Sequence, residues 1–132
     1  MNVHDERGLV GKLIVVWLLL VALLGVAAMD TFSIMFARFR LSDVAMVGAA
    51  NGATTYVGSS DVKESCDAAL KAMTEQDPDV KVGKGFCKVD SRTGEVTITL
   101  KTTAGTVVAG RLSITEDLTH ITIKETGVPN EL

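Results

Sequence analysis

LIVVWLLLVALLGVAAM, residues 13–29, is a run of 17 side chains with no charge and no strongly polar group. A helix rises about 1.5 Å per residue, so this run covers roughly 25 Å, near the lower limit for the hydrocarbon core of a bilayer. Leu9 to Gly11 extend it on one side and Thr31 to Ala37 (TFSIMFA) on the other, after a single acid, Asp30. The pattern predicts a short N-terminal segment over 1–12 and a transmembrane helix over 13–37. A cleaved signal peptide is the rival reading, because Val26-Ala27-Ala28 supplies the small residues a peptidase needs, and cutting after Ala28 would release a secreted domain. Phe32, Phe36 and Phe39, at i, i+4 and i+7, argue for the anchor: the helical stripe continues past the cut and would be carried into water.

Lys12 and Asp30 lie 18 residues apart, about 27 Å along a helix, so each is expected at one membrane interface with Lys12 snorkelling outward. Trp17 fits an aromatic belt near the inner face. In a second reading Asp30 lies within the bilayer and pairs with a basic group on a neighbouring helix. Basic residues do not orient the span, since Arg7 and Lys12 on one side balance Arg38 and Arg40 on the other.

The 132 residues leave room for one span and one small domain. Between Ser59 and Leu132 there are 12 acidic and 9 basic side chains, a net −3 without a basic patch, which argues against nucleic-acid binding. Cys66 and Cys87 both fall in this part. Pairing them would close a loop of about 22 residues and stabilise a small domain by roughly 3 kcal/mol; the alternative is two unrelated buried thiols. A disulfide implies an oxidising compartment, which sets the N-terminus inside and the C-terminal domain outside.

No proline occurs before Pro78, so nothing forces the first helix to stop at the bilayer. An extension over 38–58 carries Ala45, Gly48, Ala49, Gly52 and Ala53, small residues at helical spacing that allow close backbone approach. They suit packing against the chain's own domain or a seam with another helix. Gly58-Ser59-Ser60 reads as a break. A second helix is expected over 61–76, opened by Asp61 and Glu64 as a capping box and burying Val62, Cys66, Ala69, Leu70 and Met73. Strand-like segments follow at Val80–Val82, Phe86–Asp90, Glu95–Thr102 and His120–Glu125, with a hairpin loop over 91–94 that uses Gly94 for a positive φ. Val107 to Ile114 is ambiguous between strand and short helix. The fold class is therefore α+β: a long helix, a shorter amphipathic helix, and an antiparallel sheet of three or four strands forming an extracytoplasmic domain over 59–132.

The chain carries no constellation for catalysis. His4 and His120 fall on opposite sides of the membrane in this arrangement and cannot share a metal. Two cysteines without a nearby histidine make no zinc pattern, and Gly83-Lys84-Gly85 lacks the spacing and following helix of a phosphate loop. The adjacent acids Glu116 and Asp117 read as a solvated turn or helix start. No enzyme activity, cofactor, metal or small-molecule substrate is expected.

The N-terminal half, with Asp5-Glu6-Arg7-Gly8, the long apolar helix, then Arg38, Phe39, Arg40 and an alanine-rich tail, resembles TadE/TadG-like proteins. These are pilin-like subunits of tight-adherence (Flp-type) pilus systems, and the resemblance covers residues 5–58. It implies a single-pass protein of a bacterial cell membrane, a pilin-like fold, and association with other membrane or pilus-type subunits through the N-terminal helix. The fifth residue after Gly8 is Leu13, where such sequences usually carry a glutamate, so the resemblance implies an unprocessed accessory subunit ahead of a major filament subunit. The resulting expectation is a structural or assembly subunit of a cell-surface pilus or secretion apparatus, associating laterally through Ala45, Gly48, Ala49 and Gly52. A membrane-tethered binding module whose outer sheet recognises a ligand is the alternative from another class.

Overall fold

One helix organises the chain. α1 (Val3–Ser59) runs unbroken for 57 residues, about 85 Å, in a computed structural model that describes residues 3–129. Its two halves differ in surroundings. Residues 8–25 are exposed throughout, and the most apolar 18-residue window has no buried residue. From Val26 onward one stripe sinks into the protein: Asp30, Ile34, Ala37, Leu41, Ala45, Gly48 and Gly52, spaced by three or four residues as one face of a helix must be. α1 ends where Ser60 takes a left-handed φ of 55° and donates its N–H to the Tyr56 carbonyl at 2.8 Å.

α2 (Val62–Gln76) packs antiparallel-fashion back along this stripe. The Asp61 carboxylate caps it, accepting the Lys63 and Glu64 N–H groups at 2.7 and 3.1 Å. The Asp61 N–H donates to Ser59 Oγ at 3.2 Å, so a serine takes the place that a capping box assigns to Glu64. Ser65, Ala69 and Met73 are buried against α1, and the Ser65 hydroxyl donates to the Gly52 carbonyl at 2.7 Å.

The rest forms a three-stranded antiparallel meander in chain order: β1 (Cys87–Val89), β2 (Val96–Thr103) and β3 (His120–Gly127). Gly94, at φ 75°, closes the β1–β2 hairpin by donating to Asp90. Register sets Leu100 against Ile123 and Thr102 against Ile121. Period-two alternation then turns Val96, Ile98, Leu100, Ile121 and Ile123 toward α1 and α2, where they join Val44, Ala45, Ala49 and Met73 in the core. At Gly127 the sheet meets α1 so closely that a β-carbon would strike the backbone of Ala49 and Ala50. The Cys66–Cys87 disulfide, with Cα atoms 5.9 Å apart, ties α2 to β1.

Of the three- or four-strand expectation, three strands form. Val80 and Val82 pack on the core as irregular chain, with no ladder partner among the described residues. The ambiguous stretch 107–114 becomes neither a strand nor a regular helix. It holds a single 3₁₀ turn (Ala109–Arg111), followed by a four-residue α3 (Glu116–Thr119).

Candidate functional site

The features that distinguish the chain lie along α1. Lys12 and Trp17 lie on the bare stretch of α1, both exposed. Asp30 differs from residues 8–29, none of which is buried: only 6% of it is accessible. Its carboxylate accepts three consecutive backbone N–H groups, from Val107 at 2.6 Å and from Val108 and Ala109 at 2.9 Å. Hydrogen bonds to a charged acceptor are stronger than those between neutral groups, whereas an exposed ion pair such as Lys63–Asp67 contributes little. The donors are the first amides of the 3₁₀ turn, and they explain why 107–109 pairs with no strand: Asp30 occupies the N–H groups a ladder would use. The acid thus receives partners from its own chain.

Neighbouring contacts complete a clasp between α1 and the segment connecting β2 to β3. Ser33 Oγ donates to the Gly105 carbonyl at 2.6 Å. Thr106 Oγ1 accepts the Gly110 N–H at 2.8 Å, and Thr115 Oγ1 donates to the Ala109 carbonyl at 2.7 Å. The segment runs back along α1 toward its N-terminus, where Leu112, Thr115 and Leu118 share a cleft with Leu23, Val26 and Ala27. Sequence reasoning missed the clasp. Its available signal was position, because Asp30 falls on the stripe that continues through Ala37, Leu41, Gly48 and Gly52.

The small residues are used internally. Ala45 and Ala49 are fully buried; a β-carbon on Gly48 would meet Met73, and one on Gly52 would meet Val96 and Ala69. These four positions pack α1 against its own α2 and sheet, and so are closed to a neighbouring helix. The face of α1 that stays open is the opposite one. Met29, Phe32, Phe36, Phe39 and Met46 are exposed, Phe32 to 71%, and the offset from Asp30 to Phe32 is roughly 200° around the helix. Phe32 and Phe36 stack with ring centroids 6.4 Å apart. Polar contacts here are peripheral: Arg40 reaches Asp77 at 3.0 Å, and Gln76 reaches Asp43 at 3.1 Å.

No group of three or more His, Cys, Asp or Glu side chains converges on a metal-sized site among the described residues. His120 Nδ1 lies 3.3 Å from Thr103 Oγ1, across the β2–β3 pair. No protein-family model matches the chain, and no curated protein or solved structure matches it.

Proposed function

We propose that this chain is a single-span membrane protein that serves as a pilin-like structural or assembly subunit of a bacterial cell-surface pilus or secretion apparatus, with its α+β domain outside the cell membrane. The observation that carries this reading is the division of α1. Residues 13–25 are apolar and exposed on every side, as a bilayer-spanning segment requires, and the second half of the helix is the spine of a small disulfide-bonded domain.

The contact available for lateral assembly is the open face bearing Phe32, Phe36, Phe39 and Met46. It continues the apolar surface of the span above Asp30, on the side away from the sheet. Contiguous exposed aromatic surface of this kind is costly in water and typical of contact with other helices. The role once open to Ala45, Gly48, Ala49 and Gly52 passes to it.

The test is a Phe32→Ser, Phe36→Ser, Phe39→Ser triple variant expressed in intact membranes, with a photocrosslinking residue at Met46 to capture neighbours. Crosslinks present in the parent and lost in the triple variant, with membrane insertion retained, support assembly through this face. Identical crosslinking in both overturns it. Exchange of residues 13–29 for an unrelated span of equal length separates the binding-module alternative, which keeps its function after the exchange.

A further inference from the structure

The segment between β2 and β3 presents large apolar side chains to the outside while lying beside the membrane helix. Val107, Val108, Leu112, Ile114 and Leu118 are all exposed, Ile114 to 91%. A loop of a soluble domain rarely leaves five such residues uncovered within a dozen positions.

Their level along α1 decides what covers them. Asp30 fastens 107–109 to the helix, and Leu112 and Leu118 share a cleft with Leu23. Leu23 is seven residues before Asp30, about 10 Å closer to the cytoplasmic end. A hydrocarbon core of about 30 Å needs about 20 helical residues, so counting from Lys12 the core extends to about residue 32. Whatever packs against Leu23, Val26 and Ala27 therefore lies below the outer membrane surface.

We propose that segment 106–118 is a lipid-contacting wedge that inserts Val107, Leu112, Ile114 and Leu118 into the outer leaflet beside the span, with Asp30 as its clasp. The proposal rests on the transmembrane reading of α1. Its polar chemistry suits an interfacial position: the Asp30 charge is consumed by three backbone N–H groups, Thr106 accepts the Gly110 amide, and the Thr115 hydroxyl is bound to the Ala109 carbonyl. Backbone groups at the edge of a bilayer need partners, and here the Arg111 N–H donates to the Val108 carbonyl, the Thr115 N–H to the Leu112 carbonyl and the Leu118 N–H to the Thr115 carbonyl. Arg111, exposed, sits at the turn from which a long basic side chain reaches lipid phosphates. The domain is thus held to the bilayer at two points, the span and the wedge.

The experiment uses the full chain in vesicles of phosphatidylethanolamine and phosphatidylglycerol containing brominated lipid, with its disulfide intact. A single added cysteine at Ile114, Leu19 or Asn51 carries a fluorescent label. The Ile114 label should be quenched by brominated lipid nearly as strongly as the Leu19 label and several-fold more than the Asn51 label. Asp30→Ala should reduce quenching at Ile114 and leave Leu19 unchanged. If Leu19 is quenched while Ile114 behaves like Asn51, the wedge is wrong and the span stands. If Leu19 escapes quenching, the span itself is wrong and the wedge falls with it. An Ile114 label shielded from both brominated lipid and aqueous iodide means that protein covers the segment, which also overturns the proposal.

Discussion

Gly48 lies so close beneath Met73 that a β-carbon on it would approach Met73 Cγ to 2.5 Å. The α1–α2 contact is therefore a backbone-to-side-chain contact set by a missing atom. Gly48→Ala should destabilise the domain by about 1–3 kcal/mol, the usual cost of overpacking a filled core, and Gly48→Leu by more. Urea midpoints of the full chain in detergent micelles measure this. An unchanged midpoint for Gly48→Leu would show that the two helices do not meet at this position.

Gly127→Ala should be worse than Gly48→Ala. The added carbon at residue 127 meets the main chain of Ala49 and Ala50, which cannot rotate aside as a methionine side chain can. The same denaturation series ranks the two variants, and the reverse order would contradict the β3–α1 contact.

Asp30→Ala leaves three clustered amides without their acceptor. Hydrogen exchange at Val107, Val108 and Ala109 should accelerate sharply, while amides of β2 around Ile98 keep their protection. Asp30→Asn retains one acceptor oxygen without its charge, so its acceleration should be intermediate. Equal protection in all three proteins would show that the clasp does not hold the segment.

Reduction of Cys66–Cys87 should cost about 3 kcal/mol, from the entropy regained by a loop of about 22 residues in the unfolded chain. The expected readout is a lower urea midpoint in reductant, reproduced by Cys66→Ala together with Cys87→Ala. Loss of the Arg40–Asp77 pair gives the contrast. Arg40 is 59% exposed, and Arg40→Ala should change stability by less than about 1 kcal/mol.

The elements that sequence periodicity reveals are those whose signals are local. The long helix, the Asp61 cap, the second helix and the Gly94 hairpin each announce themselves within a few residues, because spacing, capping and φ preference act over that range. Val80–Val82 is the instructive failure: its valines are apolar enough for a strand and do pack on the core, but among the described residues they join no ladder. Segment 107–114 fails for a different reason. Its conformation is imposed by a carboxylate 77 residues earlier in the chain, and no local propensity encodes a partner at that distance. The small residues at 45, 48, 49 and 52 were legible as a close-approach stripe. Which surface approaches them was not, since the same pattern serves an internal sheet or a neighbouring helix.

Because α1 passes from the bare segment to Ser59 without a break, no hinge separates that segment from the domain. About 29 residues separate Asp30 from Ser59, a lever arm of roughly 44 Å, so a tilt of about 10° displaces the far end by roughly 8 Å. If the bare segment lies in a bilayer as proposed, a change in bilayer thickness is thereby converted into a swing of the far end. On the membrane-spanning reading proposed above, the stiffness of one uninterrupted helix would make the chain a transmitter of bilayer geometry.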